Sequence, residues 1–333
     1  MRSLLVLLAS LALAGCATSS GLHPNVLIER TLHSGGSALG VDPASQRAVS
    51  GGWEGMIHVW SLADGKALGR WRAHDQTVHG AVFLGPNRLL TAGYDGRIAV
   101  WDLQGNRLAA REGGSPITAF DISADNSRFV TGHADGFLRW WSAPALEPLG
   151  AMRVHEGAQV IAVAMQPKGT MTASSDDDGR VALVAPDGKP RWLDPPPTDA
   201  LTLTFAMDGT ALYGAGWFNL FRWDEASEKV RVLATDHRGQ INRITFTPDG
   251  RELASISRQT DSAVLLLDPA SGATRSALGK HDLCGGVVTL SPDGRYVVST
   301  SDDASVRIWD RKNPLHDAPG IVIRKPEVSP GVF

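Results

Sequence analysis

Apolar and polar residues alternate in short runs along most of the chain, and turn residues separate these runs. The clearest stretch extends from His74 to Asp102, where two apolar runs flank the turn Asp95-Gly96. Asp-Gly between such runs indicates a β-hairpin, because the turn needs a positive φ that Gly adopts without steric cost. A single hairpin cannot bury its apolar face in water, so the pattern predicts further copies of the unit.

The copies recur at intervals of 39 to 44 residues, measured at one apolar position near the end of each. This interval is typical of a four-stranded propeller blade. The seven positions are Trp60, Trp101, Trp141, Val184, Trp223, Leu267 and Trp309. We therefore predict seven blades, and the fifth is assigned by spacing because its recurring polar residues are lost. An extra strand from Val26 to Thr31 is expected to pair with the last blade, which would leave no free sheet edge.

Three of the copies contain the pair Trp-Asp, at Trp101, Trp223 and Trp309. With these pairs and this interval, the chain resembles the WD-repeat family. The resemblance implies an all-β, seven-bladed β-propeller that binds other proteins. It also implies a hydrogen-bonded structural set of His, Ser or Thr, Asp and Trp within a blade. Complete sets fall on His74, Thr91, Asp95 and Trp101, and on His281, Ser299, Asp303 and Trp309.

Other copies hold incomplete versions of this polar set. The fourth holds His155, Ser174 and Asp178, the sixth holds His237, Ser257 and Asp261, and the third holds Thr131 and Asp135 without a His. A catalytic site is expected once in a fold, whereas this set recurs and fades from copy to copy. We interpret it as structural, since buried polar groups must satisfy one another's hydrogen bonds.

The family resemblance also implies which residues face one end of the propeller, here called the top face. They are the residue before the turn Asp and the two residues that flank the start of each first strand. In this sequence these positions hold Trp53, Thr77, His79, Tyr94, Asp177, Gln240, Asn242 and Asp302. Because Trp and Tyr are frequent anchors in interfaces, we predict a protein-binding aromatic patch at Trp53 and Tyr94, rimmed by acids.

Charge and motifs narrow the possible functions. The chain has 32 Lys and Arg against 35 Asp and Glu, a net charge of −3, and no basic block, so we expect no nucleic-acid partner. We find no sequence motif for a nucleophile, a metal or a phosphate loop. The sequence therefore predicts no catalytic residue, no metal and no cofactor.

The N-terminus carries a separate signal. Residues 4–13 are nearly all apolar but too few to span a bilayer, as in a signal peptide. The following Leu13-Ala14-Gly15-Cys16 resembles a bacterial lipoprotein cleavage box, which implies lipidation of Cys16 and leaves Cys284 unpaired. The expected regions are a lipoprotein signal peptide (1–15), a tether (16–24), the propeller (25–311) and a Pro-containing C-terminal tail (312–333).

Together these observations predict a non-catalytic protein-protein interaction scaffold, lipid-anchored in the bacterial cell envelope. Ala17 after Cys16 resembles the sorting pattern for the inner leaflet of the outer membrane, facing the periplasm. The expected partner is a protein or peptide of the cell envelope, and membrane contact is expected through the lipid alone.

Two alternatives remain open. Asp64-Gly65 with Trp71, and Asp187-Gly188 with Trp192, resemble docking repeats of quinoprotein-like propellers, including lipoproteins that assist outer-membrane protein assembly. The other alternative is a propeller enzyme of the lactonase or lyase type.

Overall fold

The computed structural model describes residues 26–30, 36–167, 170–185, 188–224 and 226–312. In these ranges 28 β-strands form seven four-stranded antiparallel sheets, which we number as blades 1 to 7 in chain order. The predicted seven-bladed β-propeller is confirmed, and the fifth copy is a complete blade. None of the described residues belongs to a helix able to span a bilayer. The predicted signal peptide, the tether with Cys16, and the tail after residue 312 lie outside the described residues.

The strands are numbered in chain order. The first is β1 (Val26–Arg30). Blade 1 contains β2 (Gly36–Val41), β3 (Arg47–Gly52), β4 (Met56–Ser61) and β5 (Ala67–Arg72). Blade 2 contains β6 (Val78–Phe83), β7 (Arg88–Gly93), β8 (Arg97–Asp102) and β9 (Arg107–Glu112). Blade 3 contains β10 (Ile117–Ile122), β11 (Arg128–His133), β12 (Phe137–Ser142) and β13 (Pro148–Arg153).

The later blades follow the same order. Blade 4 contains β14 (Val160–Met165), β15 (Thr172–Asp176), β16 (Val181–Val184) and β17 (Arg191–Leu193). Blade 5 contains β18 (Thr202–Phe205), β19 (Ala211–Ala215), β20 (Asn219–Asp224) and β21 (Val230–Ala234). Blade 6 contains β22 (Gln240–Phe246), β23 (Leu253–Arg258), β24 (Ala263–Leu267) and β25 (Thr274–Lys280). Blade 7 contains β26 (Gly285–Leu290), β27 (Tyr296–Ser301) and β28 (Ser305–Asp310), with β1 as its fourth strand.

The N-terminal strand closes the ring, as predicted. Strand β1 pairs antiparallel with β28, from Val26 opposite Trp309 to Arg30 opposite Ser305. The first strand of each blade contacts the first strands of both neighbours, and β26 contacts β2. Because β1 supplies the strand that blade 7 lacks, β28 has no free edge that another chain could extend.

Apolar side chains fill every interface between neighbouring blades. Between blades 1 and 2, for example, Val49 and Ile57 pack with Val78 and Leu89 in one buried cluster. A cluster of this kind lies at each of the seven interfaces. The seven recurring positions used to find the repeats lie in the third strands and are all buried. The inner strands are buried on both faces, so they carry near-continuous apolar runs.

One cysteine differs from expectation. Cys284 precedes β26 and is disulfide-bonded rather than free. The prediction that this thiol is unpaired is therefore wrong. It rested on assigning the other cysteine of the chain to a lipid anchor, an assignment made from a short motif.

The turn between the second and third strands uses a left-handed residue. Gly55 has φ 77° and Gly96 has φ 80°. A Cβ at Gly55 would lie 1.9 Å from the His74 carbonyl oxygen, whereas at Gly96 the nearest atom would be 3.4 Å away. Gly55 is thus required both for its φ and for the close approach of the chain that leads into blade 2.

We expect Gly55→Ala to destabilise the propeller more than Gly96→Ala does. Each substitution places an L-residue in the left-handed region, which costs about 1–2 kcal/mol, and only Gly55→Ala adds a collision with backbone. Urea unfolding of both variants measures the two losses. Equal losses would show that the backbone at His74 moves aside at no cost.

Candidate functional site

The predicted polar set of blade 2 forms a continuous chain of hydrogen bonds. The Asp95 carboxylate lies 2.9 Å from Nδ1 of His74, and Nε2 of His74 lies 2.8 Å from the Thr91 hydroxyl. Nε1 of Trp101 donates to the same hydroxyl oxygen at 2.9 Å. Because the Asp95 carboxylate can only accept, the imidazole proton resides on Nδ1, and Nε2 then accepts the proton of the Thr91 hydroxyl. The set ties the β7–β8 hairpin to the segment that precedes β6.

Burial isolates this set from solvent. His74 is 1% exposed and Thr91 is 0% exposed. Burial by itself raises the pKa of Asp95, but hydrogen bonds from His74 and from the backbone N–H groups of Asp75 and Arg97 outweigh it and lower the pKa to about 2. The connectivity is that of a Ser-His-Asp triad, yet the buried hydroxyl is not presented to a substrate.

The corresponding set of blade 7 has nearly the same geometry. The Ser299 hydroxyl lies 2.8 Å from Nε2 of His281 and accepts a hydrogen bond from Nε1 of Trp309 at 3.0 Å. Nδ1 of His281 lies 3.1 Å from the Ser305 hydroxyl and 3.4 Å from the Asp303 carboxylate, so the contact with the acid is longer than in blade 2. The structure therefore brings together both complete sets that the sequence indicated.

In blade 6 the structure replaces one residue of the predicted set. His237 lies 2.8 Å from the hydroxyl of Ser255, not Ser257. Strand pairing gives the reason, because Leu253 pairs with Leu267, so the β23–β24 connection is longer than its equivalents. Counting a fixed number of residues back from Leu267 therefore selects the wrong serine.

In blades 3 and 4, one member of the polar set comes from a different position in the sequence than predicted. In blade 4, Nδ1 of His155 lies 2.7 Å from the carboxylate of Asp176, not Asp178. In blade 3, where no His was found, Nε2 of His133 lies 2.7 Å from the Thr131 hydroxyl. Both substitutes lie at the end of the second strand, two residues after the hydroxyl. Sequence spacing alone missed these two residues, because it searched for the Asp only in the turn after the second strand and for the His only before the first strand.

The top face is shaped by irregular pairing at the start of the first strands. Six blades show a shift of register there, between the first and second strands. The displaced residues are Ser37, His79, Thr118, Ile161, Asn242, and Gly286 with Val287. A bulge redirects the side chain of its extra residue, and all of these residues line one cavity. Ser37 and Asn242 also hydrogen-bond to the next blade, at 2.7 and 2.5 Å.

This cavity has a volume of about 470 Å³ and opens at the top of the central channel. Six of the eight predicted top-face residues line it, namely Trp53, Thr77, His79, Tyr94, Asn242 and Asp302. The structure does not bring Asp177 or Gln240 to the cavity. Asp177 is exposed and accepts a hydrogen bond from the Gln159 N–H at 2.8 Å, while Gln240 forms a β-bridge with Trp217.

Two exposed aromatic side chains stand on the cavity rim. Trp53 is 46% exposed and Tyr94 is 37% exposed. Thr77 links them, since its hydroxyl lies 3.5 Å from the Trp53 carbonyl oxygen and its own carbonyl accepts the Tyr94 N–H at 2.7 Å. The ring of His79 lies 6.0 Å from that of Tyr94. The rings therefore flank one site on rigid supports, as interface anchors do.

The charge at the cavity is more balanced than the predicted acidic rim. Arg258 donates to the Asp302 carboxylate at 2.8 Å and so joins blades 6 and 7. Burial raises the pKa of Asp302, and the charge of Arg258 opposes this shift. Burial, with a smaller effect from His74, lowers the pKa of His79 to about 4, so this ring is neutral at pH 7. Within the described ranges, no cluster of three His, Cys, Asp or Glu is placed to hold a metal ion.

Sequence reasoning missed four residues at this end of the propeller. Arg243 and Arg258 line the cavity, and a charge in an otherwise small-residue first strand was the available signal for Arg243. Trp217 and Phe218 lie in the β19–β20 turn with their rings 5.6 Å apart, and Phe218 is 46% exposed. They were missed because blade 5 lacks the turn Asp used to align the top-face positions.

Comparison with known families supports the repeat assignment. The model "WD domain, G-beta repeat" matches residues 65–102, 105–142 and 275–310. Each segment extends from the outer strand of one blade to the third strand of the next. The three segments join blades 1 and 2, blades 2 and 3, and blades 6 and 7. The chain is thus a seven-bladed β-propeller, and three of its segments match the WD-repeat model.

Among curated proteins the chain is similar to fungal proteins named "Ribosome biogenesis protein ytm1". That of Aspergillus clavatus is 23% identical over 85% of this chain and 59% of its own length. That of Aspergillus niger is 24% identical over 90% of this chain and 62% of its own length. That of Chaetomium thermophilum is 25% identical over 83% of this chain and 58% of its own length. The chain spans about three fifths of the length of these relatives.

These relatives overturn the predicted biological setting. They are ribosome biogenesis proteins of fungi, not bacterial lipoproteins, so the prediction of a lipid-anchored scaffold in a bacterial envelope is wrong. The predictions of an envelope partner and of an outer-membrane location are therefore also wrong. The quinoprotein-like and enzyme alternatives are not supported by these relatives either. The error arose because a motif of a few residues was given more weight than the propeller, over which the similarity extends.

Acid should weaken the propeller through Asp95. A carboxylate whose pKa is about 2 when folded, against 3.8 ordinarily, stabilises the fold above about pH 4 and loses that contribution as pH falls towards 2. This contribution is roughly 2 kcal/mol, and Asp95→Asn should lack its pH dependence. Urea unfolding between pH 7 and pH 3 measures the difference.

Asp302→Asn serves as the control for this prediction. Burial raises the pKa of Asp302, so its ionised form does not stabilise the fold and the acid-induced loss should persist in this variant. If Asp95→Asn showed the same acid sensitivity as wild type, or lost binding with unchanged stability, the structural role of the set would be wrong.

Proposed function

We propose that this chain is a non-catalytic propeller that binds a segment of a partner protein at the top of its channel. The observation that carries the proposal is the pair of exposed rings, Trp53 and Tyr94, beside a preformed cavity of about 470 Å³. Large exposed aromatic side chains without a core to fill are frequent interface anchors. The neighbouring polar groups of Thr77 and Asn242 supply places to orient a bound segment.

Rigidity supports a binding role for this face. The turn that carries Tyr94 is fixed by Asp95, whose carboxylate accepts hydrogen bonds from His74 and from two backbone N–H groups. A surface held in this way loses little conformational entropy when a partner binds. The cavity residues come from several blades that are locked together by their shared apolar clusters, so binding needs no rearrangement of the ring.

The relatives are consistent with work inside a larger assembly. Their name assigns them to ribosome biogenesis. We propose that this propeller likewise binds a protein component of an assembly, and that it recognises an exposed peptide segment of that protein. The buried Thr91-His74-Asp95 arrangement favours this reading over catalysis, since its hydroxyl is 0% exposed.

The double variant Trp53→Ala, Tyr94→Ala should keep its fold and lose its partners. Loss of one hot-spot aromatic costs at least about 2 kcal/mol, roughly a thirtyfold loss of affinity. The measurement is affinity capture from the native host with wild type and variant, together with a melting curve of each. Because both rings are partly exposed, the melting temperature should change little.

The matched control is Leu68→Ala, Leu108→Ala. These side chains are 55% and 53% exposed on the outer strands β5 and β9 of the same two blades, away from the cavity. Capture should be unaffected by this control. Equal capture by wild type and by the aromatic variant would place the working surface elsewhere and reject the proposal.

A further inference from the structure

Arg243 is out of place in the pattern of the inner strands. It lies in β22 opposite Ile256, directly after the bulge at Asn242. The strand pairing identifies the equivalent residue in five other blades. These residues are Ala38, Gly80, Ala119, Ala162 and Thr202, all small, uncharged and buried. Packing at this level of the ring is therefore satisfied by small residues, and it does not call for an arginine.

The Arg243 side chain lies where the cavity meets the channel. It lines both the top cavity and the narrower channel space of about 120 Å³ beneath it. Among the described residues it makes no ion pair and no side-chain hydrogen bond, in contrast to Arg258 at the same cavity. Arg243 is an exposed residue of its strand, and the charge of Asp121 favours the ionised guanidinium.

The acid in the channel does not neutralise this guanidinium by direct contact. The Asp121 carboxylate accepts the Met165 N–H at 2.7 Å. Burial raises the pKa of Asp121, and the hydrogen bond from Met165 and the charge of Arg243 oppose this shift. Arg243 is exposed to the cavity and has no bonded partner among the described residues, so its guanidinium is available to an anion that enters.

We propose that Arg243 binds the carboxylate of an Asp or Glu side chain that the partner segment inserts into the cavity. The inference rests on the proposed function and names the chemistry of its ligand. A guanidinium and a carboxylate form two parallel hydrogen bonds, which add direction to the charge attraction. Trp53 and Tyr94 would then hold the apolar residues that flank the acid, and Arg243 would make the site selective for acidic segments.

The charge balance favours a carboxylate over a phosphate. Arg258 is paired with Asp302, so Arg243 is the one cavity arginine whose charge is not matched by a direct partner in the described structure. A carboxylate brings one negative charge and matches it. A phosphoserine brings ≈ −1.5 to −2 charges, which would leave an excess near Asp302 and Asp121.

The test begins with a displayed library of random 12-residue peptides, selected on the full-length wild-type chain. We expect the bound peptides to share an Asp or Glu beside apolar residues. One selected peptide is then synthesised with a fluorescent label in three forms: with its acid, with Gln or Asn in that position, and with phosphoserine there. Fluorescence anisotropy measures the affinity of each form for each protein variant.

Arg243→Gln should weaken binding of the acidic peptide by about ten- to a hundredfold and leave binding of the amide peptide unchanged. Arg243→Lys should retain part of the preference, because it keeps the charge without the two-pronged geometry. Arg251→Gln is the matched control, an exposed arginine in the connection between β22 and β23 that does not line the cavity, and should bind as wild type does. Melting curves show that each variant is folded, and Arg243→Gln should be about as stable as wild type, because the side chain that it replaces is exposed.

The outcomes separate this proposal from the one on which it rests. Selected peptides without an acid, or an unchanged acid preference in Arg243→Gln, would overturn the role of Arg243 and leave peptide binding intact. Tighter binding of the phosphoserine form would also overturn it. If the wild-type chain selected no peptide, and its Trp53→Ala, Tyr94→Ala variant captured the same proteins as wild type, both proposals would be wrong.

Discussion

Burial of each blade on both faces is the constraint on which this structure depends. A four-stranded sheet with apolar residues on both sides is stable only between two neighbours, and each neighbour has the same need. The requirement ends only when the ring closes, through the cluster of Ala48 and Trp60 with Val298 and Ile308 between blades 1 and 7. Strand β1 completes that closure by covering the edge of β28. The rigid disc that results is what allows a preformed cavity at its axis.

The buried polar sets connect this scaffold to the top face. Asp95 points inward to His74, so the preceding residue of the same turn, Tyr94, is directed outward to the cavity rim. The bulges have a related effect at the first strands, where they direct His79 and Asn242 towards the axis. Structural and binding residues therefore alternate along the chain, and the first group fixes the geometry of the second.

Charge is used differently in the two parts of the molecule. In the polar sets each carboxylate is satisfied within its blade, which makes the charge a part of stability. At the cavity, Arg258 and Asp302 neutralise each other across a blade interface, whereas Arg243 has only the more distant Asp121. An unmatched charge in a preformed site is a means of selecting a ligand, because the wrong ligand leaves it unpaired.

The repeat, the number of blades and the closing strand followed from the sequence alone, because they depend on period and alternation that the chain displays locally. Six of the eight top-face residues also followed, since their positions are tied to the turn and the strand start. Residue spacing gave the wrong residue where a connection changed length, as for Ser255. It gave none where the His lies on the second strand instead of before the first, as for His133. Residue spacing also could not predict which residues surround Arg243. Only the closed ring decided that this side chain meets the axial cavity, because the cavity is formed by residues from different blades and exists in no single repeat.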